Sequence, residues 1–325
     1  MQNGFVHGSV WGVVICTVVM TTTAMALWFE RKFAGRMQSR IGPNIVGPFG
    51  LLQPISDVLK LLQKEDIVPE KADRALFNLA PPLGAILALG AAAVVPFSPA
   101  VLAADLDVGV LYLLAIGGLS VFPVFIAGWA SNNKFALLGG MRAMAQSVAY
   151  EVPLVLAAMV PVILAGSMKV SDIVAFQANN HWFVGLWPHT VLGLPAMLLF
   201  MLAMLAESNR IPFDIPEAES ELVAGVTTEY TGMKFGMFYM AEYVHTLVAS
   251  AVGAALFLGG WDGPFAPGLH WMVAKTLGLF VFVYWLRWSL LRFRSDQLMR
   301  LCWNVFVPVG VLLVGAAGWW VNFVR

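Results

Sequence analysis

The chain has 325 residues, 59% of them hydrophobic, with a mean hydropathy of +0.78. Only 12% are charged, with 19 basic and 19 acidic side chains. That is more apolar surface than a soluble domain of this length needs for its core, so the composition excludes an ordinary soluble protein and indicates an integral membrane protein. The apolar runs are continuous rather than alternating, which excludes a closed transmembrane barrel.

In chain order, the amino-terminal "MQNGFVHGSV" carries no Lys or Arg ahead of its apolar run, so the first span is expected to be retained rather than cleaved. Runs of roughly 20 apolar residues, the length that crosses a bilayer, predict eight helices over 8–29, 74–96, 108–128, 141–165, 189–207, 235–259, 270–288 and 301–323. The fold class is therefore all-α, one multi-pass membrane domain over 1–325. Of the 19 basic residues, all but Lys169, Lys275 and Arg325 lie in the joints after spans one, three, five and seven. Basic residues are retained on the inner side of short loops, so those joints face inward and both termini face outward.

The first inner joint opens with the Gly- and Pro-rich "GRMQSRIGPNIVGPFG", a shaped loop. From there Leu51, Leu52, Ile55, Val58, Leu59 and Leu62 recur at helical spacing opposite Gln53, Ser56, Asp57, Lys60, Gln63 and Lys64. This pattern predicts an amphipathic helix in the membrane interface, with Pro54 in its first turn. Cys16 and Cys302 stand alone in apolar runs, and the five His are scattered, so no metal or cluster site is expected. No nucleotide-binding fingerprint occurs, and no internal repeat suggests an inverted-repeat transporter.

Two glutamates fall inside predicted spans: Glu151, about 15 Å in from Met141, and Glu242, about 10 Å in from Phe235. A charge at the centre of a span costs roughly 2.5–3.5 kcal/mol, so each requires a partner, water or a proton. Either both are anchors paired with Arg or backbone donors, or they exchange protons. Glu30 and Glu207 close spans one and five, positions that also suit plain interfacial residues. Arg142 and Gln146 share one face of span four, as a helix-end anchor would.

Between spans five and six, "ESNRIPFDIPEAESELVAGVTTEY" gathers Glu207, Asp214, Glu217, Glu219, Glu221 and Glu229 around one basic residue, Arg210. Glu217, Glu219 and Glu221 crowd within five residues, and like charges at that spacing favour protonation of part of the group. Such a cluster suits proton buffering and transfer; a solvated surface docking a basic partner is the alternative. Pro212 and Pro216 hold the segment to a non-helical path.

Four stretches resemble one family in order along nearly the whole chain: "ERKFAGRMQSRIGPNIVGPFGLLQP", "GWASNNKFALLGGMRAMAQSVAYEV", "AESNRIPFDIPEAESELVAGVTTEYTGMKFGMFYMAEY" and "RFRSDQLMRLCWNVFVP". They are similar to the H subunit of the proton-translocating NADH:quinone oxidoreductase, respiratory complex I. The resemblance implies a membrane component that is not catalytic alone. It would form the quinone-access tunnel against the peripheral arm and carry a carboxylate path coupling quinone reduction to proton translocation.

On matching positions the path would comprise Glu151, Glu207, Asp214, Glu217, Glu219, Glu221, Glu229 and Glu242. The tunnel and its surroundings would comprise Glu30, Arg31, Arg36, Arg40, Asp57, Phe213 and Arg294. Implied partners are the other membrane subunits, the peripheral-arm subunits, quinone as substrate, and lipids; no nucleic acid, metal or cluster is expected on this chain. The implied location is a cell inner membrane with periplasmic termini, or the corresponding organellar membrane. The chain departs from the common family wording at Ala149, Ser295 and Asn304, which leaves the carboxylate path untouched. Related readings are the equivalent subunit of a hydrogenase or a ferredoxin-linked dehydrogenase; an autonomous proton-coupled transporter or channel is the reading from another class.

Overall fold

The computed structural model describes residues 2–99, 101–179, 189–217, 219–264 and 266–323. Helices run as α1 (Gln2–Met37), α2 (Gln53–Gln63), α3 (Arg74–Ala92), α4 (Gly109–Leu119), α5 (Val121–Ala130), α6 (Lys134–Ala165) and α7 (Val170–Asn179). They continue as α8 (His189–Glu207), α9 (Glu219–Leu222), α10 (Gly232–Phe257), α11 (Leu269–Ser289), α12 (Ser295–Leu301) and α13 (Val307–Phe323). Among the described residues, seven stretches are long and apolar enough to cross a membrane, and the shorter Val191–Glu207 occupies the place of the eighth expected span. The chain is a multi-pass helical membrane protein.

Several boundaries differ from the sequence expectation; α1 runs on to Met37 rather than ending at 29, so Glu30 lies inside the helix rather than closing it. The third span is two helices broken at Ser120, whose hydroxyl donates to the Gly117 carbonyl at 2.6 Å. Pro123 follows in the first turn of α5, where it has no N–H to continue the ladder from α4. Span four begins at Lys134, because Asn133 caps it by accepting from the Phe135 N–H at 2.9 Å. The last span begins at Ser295 and passes through one π-helical stretch, Cys302–Phe306.

α10 is the central helix: 83% of its apolar window is buried inside the protein, against 22% for α1. Ala249, Ala251, Gly253, Ala254 and Ala255 let neighbouring backbones approach it closely. Around it pack α1, α3, α8 and α11, and the main apolar core runs through this layer.

The amphipathic helix forms as α2, with Pro54 in its first turn. Ile55, Val58, Leu59 and Leu62 remain exposed, so the apolar face turns out of the bundle, as an interfacial helix requires. Leu61 is the residue on its other side that meets Gly236 of α10. The segment after α2 is tied to the start of α10 by a Lys234–Asp66 ion pair at 2.7 Å. Thr231 adds hydrogen bonds there, accepting from the Ile67 N–H and donating to the Glu65 carbonyl, both at 3.1 Å.

Candidate proton and quinone site

The acidic loop leaves α8 through Ser208, Asn209 and Arg210 and follows the path its prolines predict, with a cis Ile211–Pro212 peptide. It is held from inside by α6. The buried Gln146 amide donates to the Ala206 carbonyl at 2.7 Å and the Phe213 carbonyl at 2.9 Å. The Phe293 N–H donates to the Pro212 carbonyl at 2.9 Å, and the Phe213 and Phe293 rings stack 5.7 Å apart. The helix-end anchor expected from Arg142 and Gln146 is thus divided: Gln146 fixes the loop backbone, while Arg142 binds a carboxylate.

The Pro216 carbonyl enters a slot between α6 and the 3-10 turn Gly225–Thr227. A Cβ on Gly225 would lie 2.0 Å from that oxygen, and one on Gly139 would lie 2.8 Å from it. Gly225 also has φ +54, the left-handed region that penalises a side chain. Gly225→Ala is expected to cost roughly 2–4 kcal/mol, combining that penalty with overpacking. Thermal unfolding in detergent, with limited proteolysis of the loop, measures it; an unchanged melting temperature contradicts the slot.

At the centre of the site is a cation that stands out in the sequence only as the loop's one basic residue. Arg210 is 1% exposed, and its Nε lies 3.0 Å from Oε1 of Glu242. Among the described residues no straight hydrogen bond satisfies its guanidinium nitrogens, so charge and aromatic faces hold it: the group stacks 4.3 Å from the Tyr243 ring and 5.6 Å from Tyr284. The Tyr243 hydroxyl donates to Glu30, whose other oxygen takes the Arg287 guanidinium at 2.5 Å. Glu242, Arg210, Tyr243, Glu30 and Arg287 form one alternating network across α1, α10, α11 and the loop. The anchored reading of Glu242 is therefore met in part: it has an Arg partner, and it also faces a cavity.

That cavity, about 100 Å³, is lined by Glu207, Glu217, Glu242, His245 and Tyr239 with Ser120 at the α4–α5 break. It has room for a few waters at about 30 Å³ each. Burial pushes the Glu217 carboxyl up to about 8, aided by the neighbouring Glu242 and Asp214 charges. Burial also raises Asp214, against the opposing pull of Arg287, Arg292 and Arg210. Glu221 sits half-exposed between Arg142 at 2.5 Å and Arg292 at 2.9 Å, and the Arg142 hydrogen bond lowers its affinity for a proton. The Glu219 side chain lies outside the described residues.

Deeper in the span region, Glu207 Oε1 lies 3.5 Å from His245 Nε2. Adjacent glycines of α4 make space for two acids. A Cβ on Gly117 would fall 2.3 Å from the Glu207 carboxylate, and one on Gly118 would fall 2.2 Å from that of Glu151. Glu229 stands apart, accepting from the Asn133 amide at 2.5 Å beside a surface pocket with Lys71 and Lys134.

Of the expected tunnel residues, Arg31 and Asp57 pair at 2.5 Å and join α1 to α2, with Gln53 donating to the same carboxylate at 3.0 Å. Arg36, Arg40 and Arg294 are exposed, whereas Phe213 is buried against Phe293. The structure therefore brings together Glu30, Glu207, Asp214, Glu217 and Glu242 and leaves Glu221 and Glu229 at the rim. Sequence reasoning did not select Arg210, Arg287, Tyr243 or His245. The one available signal was a lone Arg among six acids.

The family described as NADH dehydrogenase matches residues 10–317. The chain is 44% identical over 311 residues to the NADH-quinone oxidoreductase H subunit of Dehalococcoides mccartyi, covering 96% of this chain and 86% of the relative. It is 44% identical over 328 residues to the H subunit numbered 2 in Geobacter sulfurreducens, covering 98% of this chain and 97% of the relative. To the H subunit of Thermomicrobium roseum it is 46% identical over 322 residues, covering 94% of each.

Proposed function

The chain belongs to the NADH dehydrogenase family, as a membrane subunit of NADH-quinone oxidoreductase, and from that premise we propose how it serves the complex: it lines the path by which quinone arrives and couples quinone reduction to proton movement. The observation that carries this reading is the cavity joining Glu217 and Glu242 to Glu207. Its acids sit between a buried cation network on one side and the glycine-backed carboxylates of the spans on the other.

Quinone reduction consumes two protons and changes local charge. In a poorly screened interior, that change is felt strongly by Asp214, Glu217 and Glu242, which crowd around Arg210 and Arg287. Glu217 suits proton exchange near neutral pH, since burial has moved its carboxyl up to about 8. The proposed path continues into the spans through Glu207 and Glu151, with Glu219, Glu221 and Glu229 as the acidic rim that exchanges protons with solvent. The Arg31–Asp57 bridge, with Arg36, Arg40, Arg294 and Glu30, would frame the quinone entry beside α2, and Phe213 would back its wall from within. Both termini would face outward, the charged joints inward toward the peripheral arm, with the other membrane subunits and lipid around the spans.

The test is Glu217→Gln in membranes holding the assembled complex, with NADH as donor and quinone reduction and proton pumping read together. Assembly is followed on native gels. Pumping is expected to fall by roughly a hundredfold, the lower range for a positioned acid–base group. An assembled variant that reduces quinone and pumps normally takes this carboxylate out of the coupling path and removes the reading.

A further inference from the structure

We propose that a cleft between α1 and α11 binds one acyl chain of a phospholipid, drawn from the leaflet on the side away from the acidic loop. The site lies on the flank of the bundle and stands independently of the coupling role proposed above.

The two helices are tied at one end and separated at the other. Beside the acidic loop, Arg287 of α11 bonds Glu30 of α1 at 2.5 Å. Toward their first residues a cavity of about 330 Å³ lies between them, backed by α10. Its floor is buried and apolar: Ile15, Val19, Val248 and Ala251 are 2–6% exposed. Its rim is open, with Val14, Val18, Val273 and Leu277 at 42–57%. Two threonines interrupt the apolar wall. Thr22 spends its hydroxyl on the Val18 carbonyl at 2.7 Å, whereas the buried Thr276 hydroxyl has no hydrogen-bond partner among the described residues.

Length selects the occupant. The lining follows α1 from Trp11 to Thr22, about 16 Å at the helical rise. Half of a bilayer's hydrocarbon core is about 15 Å. Trp11 stands next to Val10, where the apolar stretch of α1 begins, the level at which membrane proteins place tryptophan. The cleft therefore runs from one interface to the midplane, which is the course of a single acyl chain. Its width excludes a helix: about 330 Å³ over about 16 Å is a mean section of about 20 Å², and a helix with its side chains is roughly 10–12 Å across.

An unfilled cleft would cost its lining the dispersion contacts on one side. Water is a poor filler, because a cavity walled by aliphatic side chains stays dry. α1 has only 22% of its apolar window buried within the protein, so a chain seated here adds packing to the span that has little of its own.

The test reconstitutes the assembled complex in phosphatidylcholine vesicles whose lipid carries a diazirine midway along one acyl chain, irradiates them, and maps the labelled residues by mass spectrometry. Label is expected on the floor residues Ile15 and Val248 as well as on the rim, since passing lipid reaches a rim but not a buried floor. Val273→Trp, which fills the cleft from its rim, is expected to lower floor labelling by about tenfold, a loss of roughly 1.4 kcal/mol of binding. Leu312→Trp puts the same bulk on an exposed face of α13 and should leave floor labelling unchanged. Thr276→Val makes that wall position apolar and should keep the label; losing it there would mean that the occupant is held by a polar group, which overturns an acyl chain. An unlabelled floor in the unsubstituted complex overturns the proposal, whatever subunit covers the cleft instead. Displacement of the floor label by added long-chain quinone also overturns it, by assigning the cleft to an isoprenoid tail. If Val273→Trp does not assemble, the unsubstituted complex and Thr276→Val decide the matter.

Discussion

Arg210→Met lowers the stability of the folded chain by roughly 3–5 kcal/mol, the cost of breaking a buried ion pair by removing one partner. The cause is not the lost attraction alone. Arg210 is 1% exposed, and its removal strands Glu242 beside Asp214 and Glu217 with no cation within the loop to balance them. It also strips the guanidinium from the faces of Tyr243 and Tyr284, contacts worth up to roughly 2 kcal/mol when desolvated. Arg210→Lys is expected to recover little, since a compact ammonium cannot stack as a planar guanidinium does.

The double variant Arg210→Met with Glu242→Leu separates the two causes. With both charges gone, no ion is left stranded, so the double variant should be more stable than Arg210→Met alone. Thermal unfolding in detergent measures all three. A double variant no better than the single one would mean that packing on the tyrosines, rather than charge balance, sets the cost.

The pH response of Glu217 has the second large effect. Its carboxyl is raised from an ordinary 4.5 to about 8, so between those limits the folded chain keeps a proton that the unfolded chain releases. Stability therefore falls as pH rises through this window, and the loss is complete above the folded value. The interval corresponds to on the order of 5 kcal/mol at full loss. Glu217→Gln cannot ionise and should lack that part of the slope, becoming more stable than the parent above about pH 8 while matching it near pH 4.5. Glu221, lowered by its Arg142 hydrogen bond, has the opposite sign: its contribution is present above the ordinary carboxyl range and fades as pH falls below it. That contribution is small, because the pair is half-exposed and screened. Unfolding measured from about pH 4 to 9 in parent and variant, a range that brackets both limits, decides the matter. Parallel curves would contradict a buried, protonated Glu217.

Much of this protein was legible in its sequence. The spans, the interfacial helix with Pro54 in its first turn, and the confined acidic loop all follow from patterns within roughly 20 residues of chain: apolar length, helical spacing, and Pro placement. So do the carboxylates at risk inside the membrane. What those patterns lack is any statement about neighbours far along the chain. That Arg287 meets Glu30, that Arg210 rather than solvent faces Glu242, and that Gly117 and Gly118 make room for Glu207 and Glu151 are contacts between helices distant in sequence.

The six acids of one short segment show the difference most directly. By spacing they form a single cluster of like charge, and local repulsion would treat Glu217, Glu219 and Glu221 alike. In the folded chain, Gln146 and the Gly139–Gly225 slot draw the first half of the loop inward, partly burying Asp214 and Glu217, while Arg142 and Arg292 hold Glu221 at the surface. Composition and periodicity determined that this chain crosses a membrane and keeps carboxylates there. Only the tertiary structure decided which of them are desolvated, because desolvation depends on what packs against a group in space and not on what precedes it in the chain.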